Sequence, residues 1–234
     1  MGGLTLKLAI FDLDDTLIDF ATTRESAYRC QSEHLDRAGI DSAAFVQGCA
    51  RVDRPLFAQF EQGQMTRDEY RLRRFADPLA AIGVTPEREL VAHLNKIFMD
   101  CVNDRPAVFE DVQPVLARLR TLGVHTAILT NGPSDGQRRK LKATGLGDSV
   151  DHVAIGEETG FSKPSPRAFQ MVLDRFSVAA ADALMVGDSP ELDYDAALNA
   201  GLGALLLDRA DLHRGSGRAS IRSLEEVFRH PISG

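Results

Sequence analysis

Five short apolar runs, each followed by a polar turn, constrain the fold of this 234-residue chain more than any other feature. Helical patterns separate the last four runs, and a further helix over 112–122 precedes the second run. Strands that alternate with helices in this way are typical of a parallel sheet with helices on both faces. We therefore predict an α/β fold with a doubly wound parallel sheet. The predicted strands are 6–12, 124–130, 150–155, 183–187 and 203–207.

Residues 22–104 interrupt this alternation, because no strand-like run occurs there. Thr66 and Glu69 form a capping-box pattern, in which a hydroxyl and a carboxylate satisfy the first N–H groups of a helix. The segment is long enough to form a small bundle of its own, so we predict an all-helical insertion. The four predicted helices are 23–38, 42–62, 66–82 and 86–103. The predicted boundaries are 1–20 and 105–234 for the core and 21–104 for the insertion.

Composition and charge exclude several classes of protein. The net charge is −7, which argues against a partner that is a nucleic acid or a membrane surface. We interpret the basic run at 138–140 as a solvated helix face. The three cysteines include no CxxC pair, which favours a reducing compartment. No signal-peptide pattern and no apolar run of about 18 residues is present, so we expect a cytoplasmic protein without a membrane partner.

Asp12 and Asp14 directly follow the first apolar run, at the predicted carboxyl end of a strand. Open α/β sheets place their active crevice at that end. With Asp15, three acids crowd into four residues, and a bound cation would offset their repulsion and prepare a site for phosphate chemistry. A charged turn is the alternative interpretation. A calcium loop is excluded, because Leu17 and Thr23 stand where glycine and glutamate are required.

Two later segments offer groups that bind phosphate. Thr130 and Asn131 end the second predicted strand, and their hydroxyl and amide can donate hydrogen bonds to phosphate oxygens. An ordinary strand-to-helix turn remains an alternative there. Lys163 precedes Pro164, which restricts the lysine backbone and directs its ammonium. A fixed ammonium suits a phosphoryl group, although an isolated lysine is more often a surface charge.

Asp188 follows the fourth predicted strand, and Asp193 comes five residues later at the start of a helix. Magnesium selects oxygen ligands of this kind. We predict that Asp188 is a direct metal ligand and that Asp193 contacts the ligands rather than the metal. The alternative interpretation of Asp193 is a favourable interaction with the helix dipole, which acids in the first turn of a helix make. All four features fall at the carboxyl end of a predicted strand or in the loop after one. Their order and context therefore indicate a metal-dependent phosphoryl-transfer site.

As a set, these motifs resemble the haloacid dehalogenase-like (HAD) hydrolase superfamily in its phosphatase branch. The matching segments are 12–16, 130–132, 163–164, 187–193 and the continuation 195–201. The resemblance covers the whole predicted core and implies a Rossmann-like sheet. It also implies that the insertion is the helical cap that this family carries between its first and second motifs.

The resemblance implies a role for each matching residue. Asp12 would attack phosphorus to form an aspartyl-phosphate, and Asp14 would be the general acid and then the base. The implied ligands of Mg²⁺ are the carboxylates of Asp12 and Asp188 and the main-chain carbonyl of Asp14. The residues implied to hold the phosphoryl oxygens are Thr130, Asn131 and Lys163. The expected substrate is a small-molecule phosphate monoester, and the expected assembly is a monomer or a homodimer.

Three alternative functions are weighed against a phosphatase. A haloacid dehalogenase shares the nucleophile but lacks the second acid, so Asp14 favours the phosphatase. A phosphosugar mutase keeps both acids, and the motifs do not exclude it. A receiver module with a phosphorylated aspartate is about half this length and has no helical insertion. In the insertion, Arg51 and Arg54 are candidate contacts for an anionic substrate, although a solvated role is favoured for both.

Overall fold

A computed structural model describes residues 6–229, apart from the side chain of residue 61. The outer ends of the predicted core, 1–5 and 230–234, lie outside the described residues. The strands are β1 Leu8–Phe11, β2 Ile18–Asp19, β3 Ala107–Val108, β4 His125–Thr130, β5 His152–Ile155, β6 Ala183–Gly187, β7 Gly203–Leu207 and β8 Ser220–Ile221. The α-helices are α1 Phe20–Arg37, α2 Ser42–Glu61, α3 Arg67–Ala81, α4 Arg88–Asp104, α5 Val112–Thr121, α6 Ser134–Thr144, α7 Leu146–Ser149, α8 Gly156–Thr159, α9 Pro166–Phe176 and α10 Ala196–Asn199. A π-helical segment, Pro190–Asp195, precedes α10.

Six strands form one parallel sheet in the order β5-β4-β1-β6-β7-β8. The five predicted strands are all present in it, and the predicted fold class is confirmed. Two further features were not predicted: the edge strand β8 and the separate antiparallel pair of β2 and β3. Each of these strands has only two residues, which is too short to produce a period in the sequence.

Helices cover both faces of the sheet, because the side chains of a strand alternate between its faces. In β1, Leu8 and Ile10 belong to an apolar cluster that includes residues of α9 and α10. Ala9 and Phe11 belong to a second cluster with residues of α5 and α6 on the opposite face. All four residues of β1 are fully buried. Burial of each large side chain contributes roughly 1.5–3 kcal/mol, so the central strand is firmly held.

The chain divides into two compact units, one of which is the helical segment Ala21–Arg105. The other unit joins the residues up to Phe20 with those from Pro106 onward. The capping box at the start of α3 is confirmed, since the Thr66 hydroxyl accepts from the Glu69 N–H and the Glu69 carboxylate accepts from the Thr66 N–H. Within the described residues, no helix combines the length and the apolar character that crossing a bilayer would require.

Candidate active site

The order of the strands brings distant segments together at one edge of the sheet, the edge formed by the carboxyl ends of its strands. β1 lies between β4 and β6, and Phe11 is in register with both Ile128 and Val186. The next residue, Asp12, donates its main-chain N–H to the carbonyl of Val186 at 3.0 Å. Asp12 therefore emerges beside the ends of both neighbouring strands, where the motifs after β4 and β6 begin.

Three carboxylates gather at this edge. Oxygen atoms of Asp12, Asp188 and Asp193 all lie within 4.8 Å of one another. Asp193 is 1% exposed, and its Oδ2 accepts from the main-chain N–H of Ser189 at 2.9 Å. A Cβ atom on Gly187 would lie 2.2 Å from Asp193 Oδ2, so only glycine at that position allows this close approach. Asp193 therefore lies beside the two predicted carboxylate ligands, which is compatible with its predicted place next to the ligands of a metal.

Lys163 is the cation of this group. Its Nζ donates to Asp12 Oδ1 and to Asp193 Oδ1, both at 2.5 Å, and the side chain is 3% exposed. Asn131 fixes the loop that carries it: the amide nitrogen donates to the Lys163 carbonyl at 2.7 Å, and the amide oxygen accepts from the Lys163 N–H at 2.9 Å. The side chain of Asn131, predicted to bind phosphate, therefore holds the backbone of the lysine.

The electrostatics of the group reflect an excess of negative charge. Burial raises the pKa of Asp12 well above its usual range; Lys163 opposes this shift, while Asp193 and Asp188 add to it. Burial, followed by repulsion from Asp193 and Asp15, raises the pKa of Asp188 to about 7. Burial alone would lower the pKa of Lys163, but Asp12 and Asp193 outweigh burial and raise it. One ammonium therefore faces three carboxylates that together require further positive charge.

The donor set of this group fits a hard divalent cation. Carboxylate oxygens are the ligands that Mg²⁺ prefers, and the charge imbalance is of the sign that a cation would relieve. Thr16 donates its hydroxyl to Asp188 Oδ1 at 3.3 Å and so helps to orient one of these oxygens. The Asp14 carboxylate is not in the group, and its predicted contribution to a metal site is through the main-chain carbonyl.

The Asp14 side chain faces helix α6 instead. Lys140 donates its Nζ to both carboxylate oxygens of Asp14, at 2.6 and 2.8 Å. Gln137 donates its amide nitrogen to Asp14 Oδ2 at 3.0 Å and to the Thr130 hydroxyl at 2.7 Å. The prediction that Lys140 lies on a solvated helix face is wrong, because its side chain is 7% exposed and is held by Asp14.

Gln137 and Lys140 are the site residues that the sequence analysis missed. They stand three residues apart in α6, and Leu141 at the next position is in the apolar core. Gln137 and Lys140 lie on the inward face of an amphipathic helix, and polar residues on such a face could have indicated a site. The run of three basic residues favoured a solvated face instead. Arg138 in that run does face outward and pairs with Glu158, with 53% of its side chain exposed.

In the helical unit, the candidate residues Arg51 and Arg54 are exposed on α2.

Fold and site together define the class of protein: an α/β core with three clustered carboxylates at the strand ends and a helical unit inserted between β2 and β3. A family model described as haloacid dehalogenase-like hydrolase matches residues 6–201. The chain belongs to this family, which confirms the resemblance seen in its motifs.

Named relatives lie in the phosphatase branch of the family. The chain is 39% identical over 251 aligned positions to phosphoserine phosphatase from Thermus thermophilus, covering 95% of this chain and 98% of the relative. It is 39% identical over 207 positions to N-acylneuraminate-9-phosphatase from Rattus norvegicus, covering 87% and 83%. The crystal structure of the HAD-hydrolase YfnB from Bacillus subtilis bound to magnesium superposes with a TM-score of 0.80 at 25% identity, covering 96% of this chain and 98% of that one.

Proposed function

We propose that this protein hydrolyses a small-molecule phosphate monoester in a Mg²⁺-dependent reaction that passes through an aspartyl-phosphate on Asp12. One observation carries the proposal: oxygens of Asp12, Asp188 and Asp193 lie within 4.8 Å of one another, with the Lys163 ammonium 2.5 Å from Asp12. This arrangement presents a carboxylate nucleophile beside the positive charge that an anionic phosphate requires. The phosphatase names of the relatives support it.

The residues proposed to hold the metal are the carboxylates of Asp12 and Asp188 and the main-chain carbonyl of Asp14. Asp193 is proposed to hold Lys163 in place, because it accepts from the ammonium on one oxygen and from the Ser189 N–H on the other. When bound, Mg²⁺ supplies charge neutralisation for the phosphoryl group and the carboxylates.

In the first step, a carboxylate oxygen of Asp12 forms a bond to phosphorus while the ester P–O bond breaks. Asp14 donates its carboxyl proton to the leaving oxygen, so that an alcohol departs rather than an alkoxide. Lys163 and the Thr130 hydroxyl hold the phosphoryl oxygens during the transfer. Because the Asn131 side chain holds the Lys163 backbone, a phosphate contact by Asn131 falls to its main-chain N–H.

In the second step, water attacks phosphorus and the bond from Asp12 to phosphorus breaks. Asp14, now a carboxylate, takes a proton from the water, and inorganic phosphate leaves. Dividing the displacement in two lowers a barrier that is otherwise very high, since the catalysed hydrolysis of phosphate monoesters needs roughly 20 kcal/mol of stabilisation or more. Positioned charges are the largest contribution available to the site.

Substrate selection is proposed to lie in the helical unit Ala21–Arg105, because the contacts proposed for the core residues are with the phosphoryl group and the leaving oxygen, which all phosphate monoesters share. Phosphoserine and N-acylneuraminate 9-phosphate, taken from the names of the relatives, are the first esters to test. Nucleoside monophosphates, sugar phosphates, flavin mononucleotide and phosphoglycolate complete the set. A cytoplasmic location and a monomeric or homodimeric assembly stay predictions.

The test is a screen of about a hundred phosphate esters for release of inorganic phosphate, with Mg²⁺ and with EDTA. We expect Mg²⁺-dependent turnover of at least one alkyl ester, and loss of that turnover in Asp12→Asn with the fold retained. Turnover that persists in EDTA or in Asp12→Asn would contradict the proposal. Halide release from 2-chloropropionate would favour a dehalogenase, and return of phosphate to a bisphosphate would favour a mutase.

A further inference from the structure

Two side chains of α6 enclose the carboxylate of Asp14 from the interior of the protein. Lys140 Nζ lies 2.6 and 2.8 Å from its two oxygens, and Gln137 donates to one of them at 3.0 Å. The Lys140 side chain is 7% exposed, whereas that of Asp14 is 31% exposed. The lysine and glutamine therefore approach Asp14 from the buried side, and the acid keeps a side that solvent reaches.

Burial of the Lys140 ammonium needs a physical reason, because removing a charge from water destabilises a protein unless the charge is paired. Lys140 stands beside Leu141 on the inward face of α6, where an apolar residue of similar length could pack. Its pairing with Asp14 offsets the desolvation, as does the Phe20 ring, whose centroid lies 4.9 Å from Nζ. The contact with Asp14 therefore explains why a lysine, and not an apolar residue, occupies position 140.

Gln137 is fitted into the site with little spare room. A Cβ atom on Gly132 would lie 2.2 Å from the Gln137 amide nitrogen, so glycine is required for the amide to reach its place. That nitrogen donates to Asp14 and also to the Thr130 hydroxyl. Because the Thr130 oxygen accepts from Gln137, its own proton is directed to another acceptor, which in the proposed function is a phosphoryl oxygen. One amide therefore links the acid to the phosphate-binding hydroxyl.

We propose that Gln137 and Lys140 are positioning residues for Asp14, an inference that rests on the proposed function. As the bond from Asp12 to phosphorus forms and the ester P–O bond breaks, the proton of Asp14 passes to the leaving oxygen. The carboxylate that results is received by the ammonium of Lys140 and the amide of Gln137, which hold it in place for the attack of water. Neither residue touches the substrate.

The test compares two esters that differ in their need for a proton. An alkyl phosphate releases a strongly basic alkoxide unless Asp14 protonates it, whereas p-nitrophenolate leaves without a proton. The kcat/KM value covers only the steps up to departure of the alcohol, so later hydrolysis of the phosphoenzyme does not affect it. In Lys140→Met, we expect kcat/KM for the best alkyl ester to fall about 30- to 100-fold, a part of the 10²–10⁴ that a positioned acid contributes. For p-nitrophenyl phosphate we expect a fall of less than about 3-fold.

Three variants complete the design. Lys140→Arg keeps the positive charge, and its planar guanidinium can donate to both oxygens of a carboxylate, so it should retain alkyl-ester activity to within about 5-fold of wild type. Lys142→Met makes the same exchange at an exposed position of the same helix and should change neither kcat/KM value. Gln137→Ala should show the same selective loss as Lys140→Met, and it carries the comparison if Lys140→Met does not fold.

Equal losses for the two esters, or no loss for either, would overturn the positioning role. This result is distinct from failure of the proposed function, which would appear in the wild type as absence of Mg²⁺-dependent turnover of every phosphate ester. A wild-type enzyme that turns over both esters, with variants that do not discriminate between them, refutes only the inference about α6.

Discussion

Asp188→Asn should stabilise the metal-free protein although it destroys the proposed metal site. Burial is the largest cause that raises the pKa of Asp188 from 3.8 to about 7; repulsion from Asp193 and Asp15 adds to it, and Lys163 opposes it. Oxygens of Asp188 and Asp193 lie within 4.8 Å of one another, and at that distance two unit charges repel by about 3.5 kcal/mol at an effective dielectric constant near 20. A rise of about three pKa units corresponds to roughly 4 kcal/mol, so burial and this repulsion together set the upper end of the expected gain.

The pH dependence follows from the sign of that shift. A carboxyl group whose pKa is higher in the folded state binds its proton more tightly there, so stability falls as the pH rises from the unfolded value of 3.8 to the folded value of about 7. Asparagine does not titrate. Asp188→Asn should therefore gain about 2–4 kcal/mol over wild type at pH 8, and the gain should disappear toward pH 4.

Urea denaturation in EDTA at pH 8 and pH 4 measures this difference, and the same curves with Mg²⁺ measure the metal. Mg²⁺ at about 100 times its dissociation constant should stabilise the wild type by roughly 2.7 kcal/mol and should leave Asp188→Asn unchanged. Asp148→Asn, at an exposed position of the same unit, should stay within about 0.5 kcal/mol of wild type. Lower stability of Asp188→Asn than of wild type in EDTA at pH 8 would rule out repulsion at Asp188, and equal stabilisation of both proteins by Mg²⁺ would rule out Asp188 as a metal ligand.

Two further substitutions test the supports of the site. Gly187→Ala places a methyl group 2.2 Å from Asp193 Oδ2, so Asp193 must move from its position beside Lys163. We expect kcat to fall at least about 100-fold in a phosphate-release assay. Activity within about threefold of wild type would contradict this expectation. Asp111 accepts two hydrogen bonds of 2.9 Å from Arg209, whose guanidinium also donates to the carbonyl of residue 16. Asp111→Ala removes the carboxylate partner of that partly buried guanidinium and the acceptor of the Leu224 N–H, so it should lower the free energy of unfolding by about 2–4 kcal/mol in urea. A change below about 0.5 kcal/mol would refute the pairing argument.

Much of the fold and the centre of the site could be predicted from local sequence. The apolar runs identify the strands, and in a parallel sheet all strand ends that carry motifs meet at one edge. That rule alone places Asp12 and Asp188, whose oxygens lie within 4.8 Å of one another, at the same end of the sheet as Thr130. The order β4-β1-β6 explains why the rule succeeds, since β1 lies directly between the other two strands.

The remaining features depend on contacts between segments that local sequence does not encode. Asn131 binds the backbone of Lys163, 32 residues away, and no pattern near Asn131 indicates that its amide would be used there. Lys140 reaches Asp14 across 126 residues, and a basic run gives no sign of which residue turns inward. Asp193 joins the carboxylate group because Gly187 lacks a side chain, a steric relation that only the structure displays.

In the proposed reaction Asp12 forms a covalent bond to phosphorus, and chemical trapping detects that bond. Borohydride reduces an acyl phosphate to an alcohol, so an aspartyl-phosphate at position 12 becomes homoserine and the peptide changes mass. After rapid quenching during turnover with Mg²⁺, we expect homoserine at position 12 and none in Asp12→Asn or without substrate. Steady turnover with position 12 unmodified, or homoserine at another aspartate, would exclude Asp12 as the nucleophile.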